Sequence, residues 1–230
     1  MTVPTQPEER FYWDFDLPSD PFWQAVGWKP ARMFFVCFSQ AEINSMDLAS
    51  KPAPSQSDKF ELLLQQYEAA SKTVGSSDSD YEKRNNLAMG RANLLPLLGR
   101  AEEGDAILKE MLAKPDPSGK PQIATMHNLA TRVAERGDYA EAEMMVLELL
   151  PMEETDPRLG PHSPQALSLL RLLTEARYWL GKSELAKESF QRLVKLTDEA
   201  KETRFRKYEC DEKELIDELV KKLGIDEWTH

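Results

Sequence analysis

The chain is short of the residues on which most site chemistry is built. It holds two cysteines and three histidines in 230 residues. Cys37 and Cys210 lie far apart without metal-ligand spacing, and no histidine pair has such spacing either, so a structural zinc site is not expected. Two reduced thiols fit a cytoplasmic protein. Basic charge is in deficit: 29 Lys and Arg stand against 40 Asp and Glu, a formal net charge of −11. That sign opposes phosphate backbones and anionic lipid surfaces, so neither nucleic acid nor a membrane is an expected partner. No basic cluster exceeds the run Arg204-Phe205-Arg206-Lys207, which reads as a solvated helix face. Long apolar runs are missing too. The longest covers residues 33–38, far below the length that spans a bilayer. Residues 1–10 are polar and acidic and lack the apolar stretch of a signal peptide. No G-x-S-x-G, phosphate-binding loop or G-x-G-x-x-G motif occurs, so no cofactor is expected.

What is present is a sizeable core and a repeat. Hydrophobic residues make up 41% and charged residues 30%, which excludes wholesale disorder. Three segments align on glycines, Gly99, Gly137 and Gly181, spaced 38 and 44 residues apart. Around the second glycine stand Asn128, Leu129, Ala130, then Gly137, Asp138, Tyr139, then Ala142, with apolar Val146 and Leu149 beyond. Small residues at Ala130 and Ala142 let two helices approach closely, and Gly137 ends the first in a conformation that a Cβ disfavours. The third segment keeps Leu173, Thr174, Gly181, Ala186, Phe190 and Leu193. The first keeps Ala92, Gly99, Gly104, Leu108 and Met111, with Arg91 where leucine is expected and Pro96 bending the first helix.

This pattern resembles the tetratricopeptide repeat, whose minimal unit is about 34 residues. The excess length lies in residues 114–121 and 152–163. The second of these joins Leu159-Gly160-Pro161-His162-Ser163-Pro164, which resembles the stretch linking repeats in kinesin light chains. The resemblance covers about half the chain. It implies an all-α helical-hairpin solenoid over residues 57–230, with residues 1–56 as an aromatic-rich segment and linker packing on the array. Apolar periodicity adds a helix at about residues 57–74, with Ser57 as N-cap and Gly75 past its end. Ser79 with Glu82 reads as a capping box for the next helix. Asp211 with Glu214 reads as the start of a C-terminal capping helix that ends at Gly224, where a solenoid otherwise exposes apolar surface.

Residues 11–38 carry ten of the chain's twenty aromatics, too much apolar area for a disordered tail. They either cap the array or line a pocket. Residues 33–38 are a short strand or a buried helix, and residues 49–57 a linker.

In the family the first helix of each repeat lines a concave face. Carried over by position, Asn93, His127, Thr131, Arg171, Glu175 and Tyr178 become candidate ligand-binding residues, beside Asn86, Met89, Ala124, Glu135 and Ser168. The family's carboxylate clamp needs cations where this chain has Met89, Ser168 and Leu172, although Asn93 and Asn128 match its asparagines. A clamp on a C-terminal carboxylate is therefore not expected. Two functions remain open. One is a module that holds a peptide or protein partner in the groove. The other is a small-molecule enzyme in which His127, Glu175 and Arg171 form an acid–base cluster beside the N-terminal aromatics. Arg171 and Glu175, four apart on one helix, also fit a simple mutual pair. His162 reads as structural and His230 as exposed.

Overall fold

Capping and periodicity set the helices one by one. The computed structural model describes residues 9–114, 116–225 and 228; His230 lies outside them. Eleven α-helices and no strand occur among the described residues. None of these helices is long and apolar enough to cross a membrane. Contacts divide the chain into two compact units, one comprising Phe11–Thr125 and the other built from Met126 onward together with residues 9 and 10.

In the first unit α1 (Pro21–Val26), α2 (Trp28–Cys37) and α3 (Gln40–Met46) precede α4 (Gln56–Thr73), α5 (Tyr81–Leu94) and α6 (Ala101–Ala113). Six of the ten aromatics of residues 11–38, Phe15, Phe22, Trp23, Phe34, Phe35 and Phe38, share a core with α4 and α5. Phe34 meets Tyr67 edge-on at 5.3 Å, and Phe38 meets the same ring at 5.8 Å. Residues 33–38 lie mostly in helix α2, because Ala31, Phe34 and Cys37 recur at helical spacing on its buried side. Burial pushes the Cys37 thiol up to about 12, against opposing pulls from Lys83 and Tyr67. Gly90 on α5 leaves room for Tyr67; a Cβ there would lie 2.4 Å from the tyrosine ring.

Several boundaries differ from the sequence expectation, each for a local reason. Helix α4 starts two residues earlier, because Ser55, not Ser57, caps it through a reciprocal box with Asp58. Its C-cap is Val74. Helix α5 starts from a 3-10 turn at Asp78–Asp80, where Ser77 binds both Ser79 and Asp80, so the Ser79–Glu82 box does not form. Pro96 ends α5 rather than bending it: the chain passes into a 3-10 turn, Leu95–Leu98, and then Gly99.

The second unit holds most of α7 (Ile123–Glu135), then α8 (Tyr139–Thr155), α9 (Pro164–Trp179), α10 (Ser183–Ala200) and α11 (Glu209–Leu223). Helix α9 packs on α8 and α10, and α11 packs on α9 and α10. The last helix begins at Glu209, after a 3-10 turn at Arg206–Tyr208, rather than at Asp211, and ends at Gly224 as the sequence indicates. Gly99, Gly137 and Gly181 all adopt positive φ, at 73°, 86° and 72°, so each aligned glycine makes the left-handed turn between two helices. The small residues paired by the alignment are buried in every copy: Ala92 with Gly104, Ala130 with Ala142, Thr174 with Ala186. At the first pair the approach is so close that a Cβ on Gly104 would stand 2.7 Å from the Ala92 carbonyl oxygen. Ser163 caps α9, with Pro164 in its first turn, and His162 reaches Glu199 at 3.3 Å.

Candidate functional site

A groove of about 240 Å³ runs along the second unit. Thr131 contributes from α7. Ser168, Arg171, Leu172 and Glu175 contribute from α9, and Leu215, Glu218, Leu219 and Lys222 from α11. Each of the latter two sets follows the i, i+3, i+4, i+7 spacing of one helix face, so the groove lies between two facing stripes. Apolar side chains from both stripes, Leu172, Leu215 and Leu219, supply its greasy surface, and charged groups stand among them.

The charges are mostly already paired. Arg171 bonds Glu212 of α11, a largely buried carboxylate. Burial pushes the Glu212 carboxyl up; Arg171 pulls it back only in part, and it stays above its ordinary value. Glu175 accepts from Lys222 at 2.5 Å. Arg171 and Glu175 thus each take a partner on α11, and two links between helices stand in place of the mutual pair that their spacing also fits.

His127 sits behind the groove wall. Its Nδ1 is 2.9 Å from Glu153 Oε1 of α8, and its Nε2 is 3.4 Å from the Ser168 hydroxyl of α9. The imidazole is 17% exposed and the Glu153 side chain only 2%. Thr131 donates to the His127 carbonyl at 3.1 Å, a bond within α7. The cluster of His127 with Arg171 and Glu175 is not what these contacts make. Each of the three is held by a different carboxylate or ammonium group, because the neighbouring helices supply closer partners than the groove does.

Of the six candidate ligand-binding residues, Thr131, Arg171 and Glu175 line the groove, and His127 touches it through Ser168. Tyr178 is outside the lining; its ring packs against Trp179 at 5.3 Å and Trp228 at 6.1 Å. Asn93 is half-buried on α5 and belongs to the other unit. Sequence reasoning missed the α11 wall. Leu215, Glu218, Leu219 and Lys222 repeat at helical spacing with alternating chemistry, and that mixed stripe was the available signal. Among the described residues, no group of three or more His, Cys, Asp or Glu is arranged to hold a metal. No protein-family model, curated protein or solved structure matches the chain.

Proposed function

We propose that the chain is a binding module of tetratricopeptide-like helical hairpins that holds a peptide segment of a partner protein in the groove between α9 and α11. The observation that carries this reading is the groove itself: an open trough with apolar residues from two parallel stripes and charged residues among them. Its volume of about 240 Å³ is below the roughly 300–1,000 Å³ of pockets that enclose drug-sized molecules. A trough of that size suits side chains inserted from a longer segment. The repeat reading draws support from the positive-φ glycines at aligned positions and the buried small residues beside them. A cytoplasmic setting fits the two free cysteines.

The test is selection of binders from a random peptide library displayed on phage, with the purified chain as bait. Selected peptides should lose binding to Leu215→Ser, which removes groove surface from a partly exposed position, and keep it to Met144→Ser on α8. A library that yields no binder, or binders indifferent to Leu215→Ser, would sink the proposal.

A second reading has one observation in its favour. Glu153, His127 and Ser168 stand in the order orienting carboxylate, base and hydroxyl, with Ser168 in the groove. Against it, Ser168 lies inside α9, so its own amide is committed to the helix ladder and cannot serve an oxyanion. An active-site-directed fluorophosphonate decides: labelling of Ser168 that vanishes in His127→Ala favours an acyl-transfer enzyme, and an unlabelled chain removes it.

A further inference from the structure

We infer that the segment the groove accepts is cationic and amphipathic, with lysine or arginine beside one or two apolar residues; this rests on the groove being a peptide site. The argument is one of which charges are left over. Both cations in the lining are engaged: Arg171 with the buried Glu212, and Lys222 with Glu175 at 2.5 Å. An anionic ligand would have to break one of these pairs, and breaking the first strands a buried carboxylate. The remaining charged group of the lining is Glu218, which is exposed and forms no ion pair among the described residues.

The surroundings of Glu218 carry the same sign. Helix α11 contains six acidic residues and three lysines between Glu209 and Leu223. Of those lysines, Lys213 is held by Glu209 and Asp198, and Lys222 by Glu175. Asp211, Glu214, Asp217 and Glu218 stay exposed on that helix with only Lys221 to offset them. A guanidinium or ammonium entering along α11 meets attraction along its path, strengthened by the chain's net charge of −11. Leu215, 37% exposed at the groove, supplies the matching apolar contact.

The experiment measures fluorescence anisotropy of three short labelled peptides, alternating leucine with lysine, with glutamate or with serine, at low and at physiological salt. The lysine peptide should bind best, and more tightly at low salt. Its affinity should fall about three- to tenfold on Glu218→Lys, as expected when one exposed charge contact turns repulsive. Glu148→Lys, an exposed site on α8 with the same change in net charge, should leave it nearly unaltered. If Glu148→Lys weakens binding as much as Glu218→Lys, attraction is to bulk charge and the inference falls. If the glutamate or serine peptide binds as tightly as the lysine peptide and Leu215→Ser abolishes it, the groove stands and the cationic preference is wrong. If no peptide binds, or Leu215→Ser changes nothing, the groove reading itself fails and takes the inference with it.

Discussion

Gly90 shows how one missing Cβ organises a core. Tyr67 is almost fully buried, flanked by Phe34 and Phe38, and its ring occupies the space that an alanine methyl would need at position 90. Alanine in a helix interior normally gains roughly 1 kcal/mol over glycine. Here the 2.4 Å approach sets a clash against that gain, and the ring has no exposed direction to retreat. We expect Gly90→Ala to destabilise, with overpacking of roughly 1–3 kcal/mol exceeding the helix gain. Thermal unfolding checks it; a raised midpoint would mean that Tyr67 has room to move. The same scale decides what the sequence disclosed of the site. His127, Thr131, Arg171 and Glu175 became candidates because the repeat pattern that the sequence resembles turns those positions of a first helix inward. Their partners, Glu153, Glu212 and Lys222, were not, because periodicity says nothing about which element packs across. The difference changes a prediction. Arg171→Ala looks from sequence like a clean probe of binding that spares stability. With Glu212 buried against it, the substitution should cost roughly 3–5 kcal/mol by leaving an uncompensated carboxylate. A thermal midpoint unchanged in Arg171→Ala would refute that pairing.

At the scale of elements, small residues and buried charges join the helices. Ala142 is fully buried on α8, at the position that aligns with the buried Gly104 and Ala186. Ala142→Leu should overpack that position by roughly 1–3 kcal/mol, read as a lowered thermal midpoint. A neutral outcome would mean that the register of the repeat is misassigned. Glu143 beside it ties three elements together. Its carboxylate accepts from Arg177 of α9 at 3.2 Å and from Lys182 of the following turn at 2.5 Å, while Arg177 also donates to Ser189 of α10 at 2.6 Å. Burial pushes the Glu143 carboxyl up, but the bonds from Lys182 and Arg177 outweigh it and hold the group below its usual range. A depressed folded-state value stabilises above the unfolded carboxyl value of about 4.3, and the contribution is lost as pH falls through the folded value. The difference in thermal midpoint between the wild type and Glu143→Gln should therefore be present at neutral pH and shrink towards strong acid. A difference that does not change with pH would show that the network contributes through shape alone. The elements themselves were readable where a pattern repeats, as at the three glycine turns. They were misread at helix starts, where Ser55 and Ser57, or Ser79 and Asp80, offer competing start positions only a residue or two apart.

For the whole molecule, the excess of acid over base decides what it avoids. Duplex nucleic acid binds through phosphates, and each neutralised phosphate releases counterions, which gives affinity that falls steeply with salt. The chain's net charge of −11 works against that from the first encounter. A local basic patch can override the total, and residues 204–207 are where the sequence concentrates cations. The structure engages two of these three cations: Arg204 pairs with Glu9 at 2.9 Å, and Lys207 donates to the Glu9 carbonyl at 2.8 Å and stands 5.1 Å from the Tyr208 ring centre, within reach of a cation–π contact. The surrounding acids of α11 add further repulsion. Electrophoretic shift with labelled duplex DNA and RNA at physiological salt should show no complex. Micromolar binding that weakens as salt rises would overturn this, and it would also count against the cationic-segment groove, since an acidic α11 and a phosphate backbone cannot share a surface.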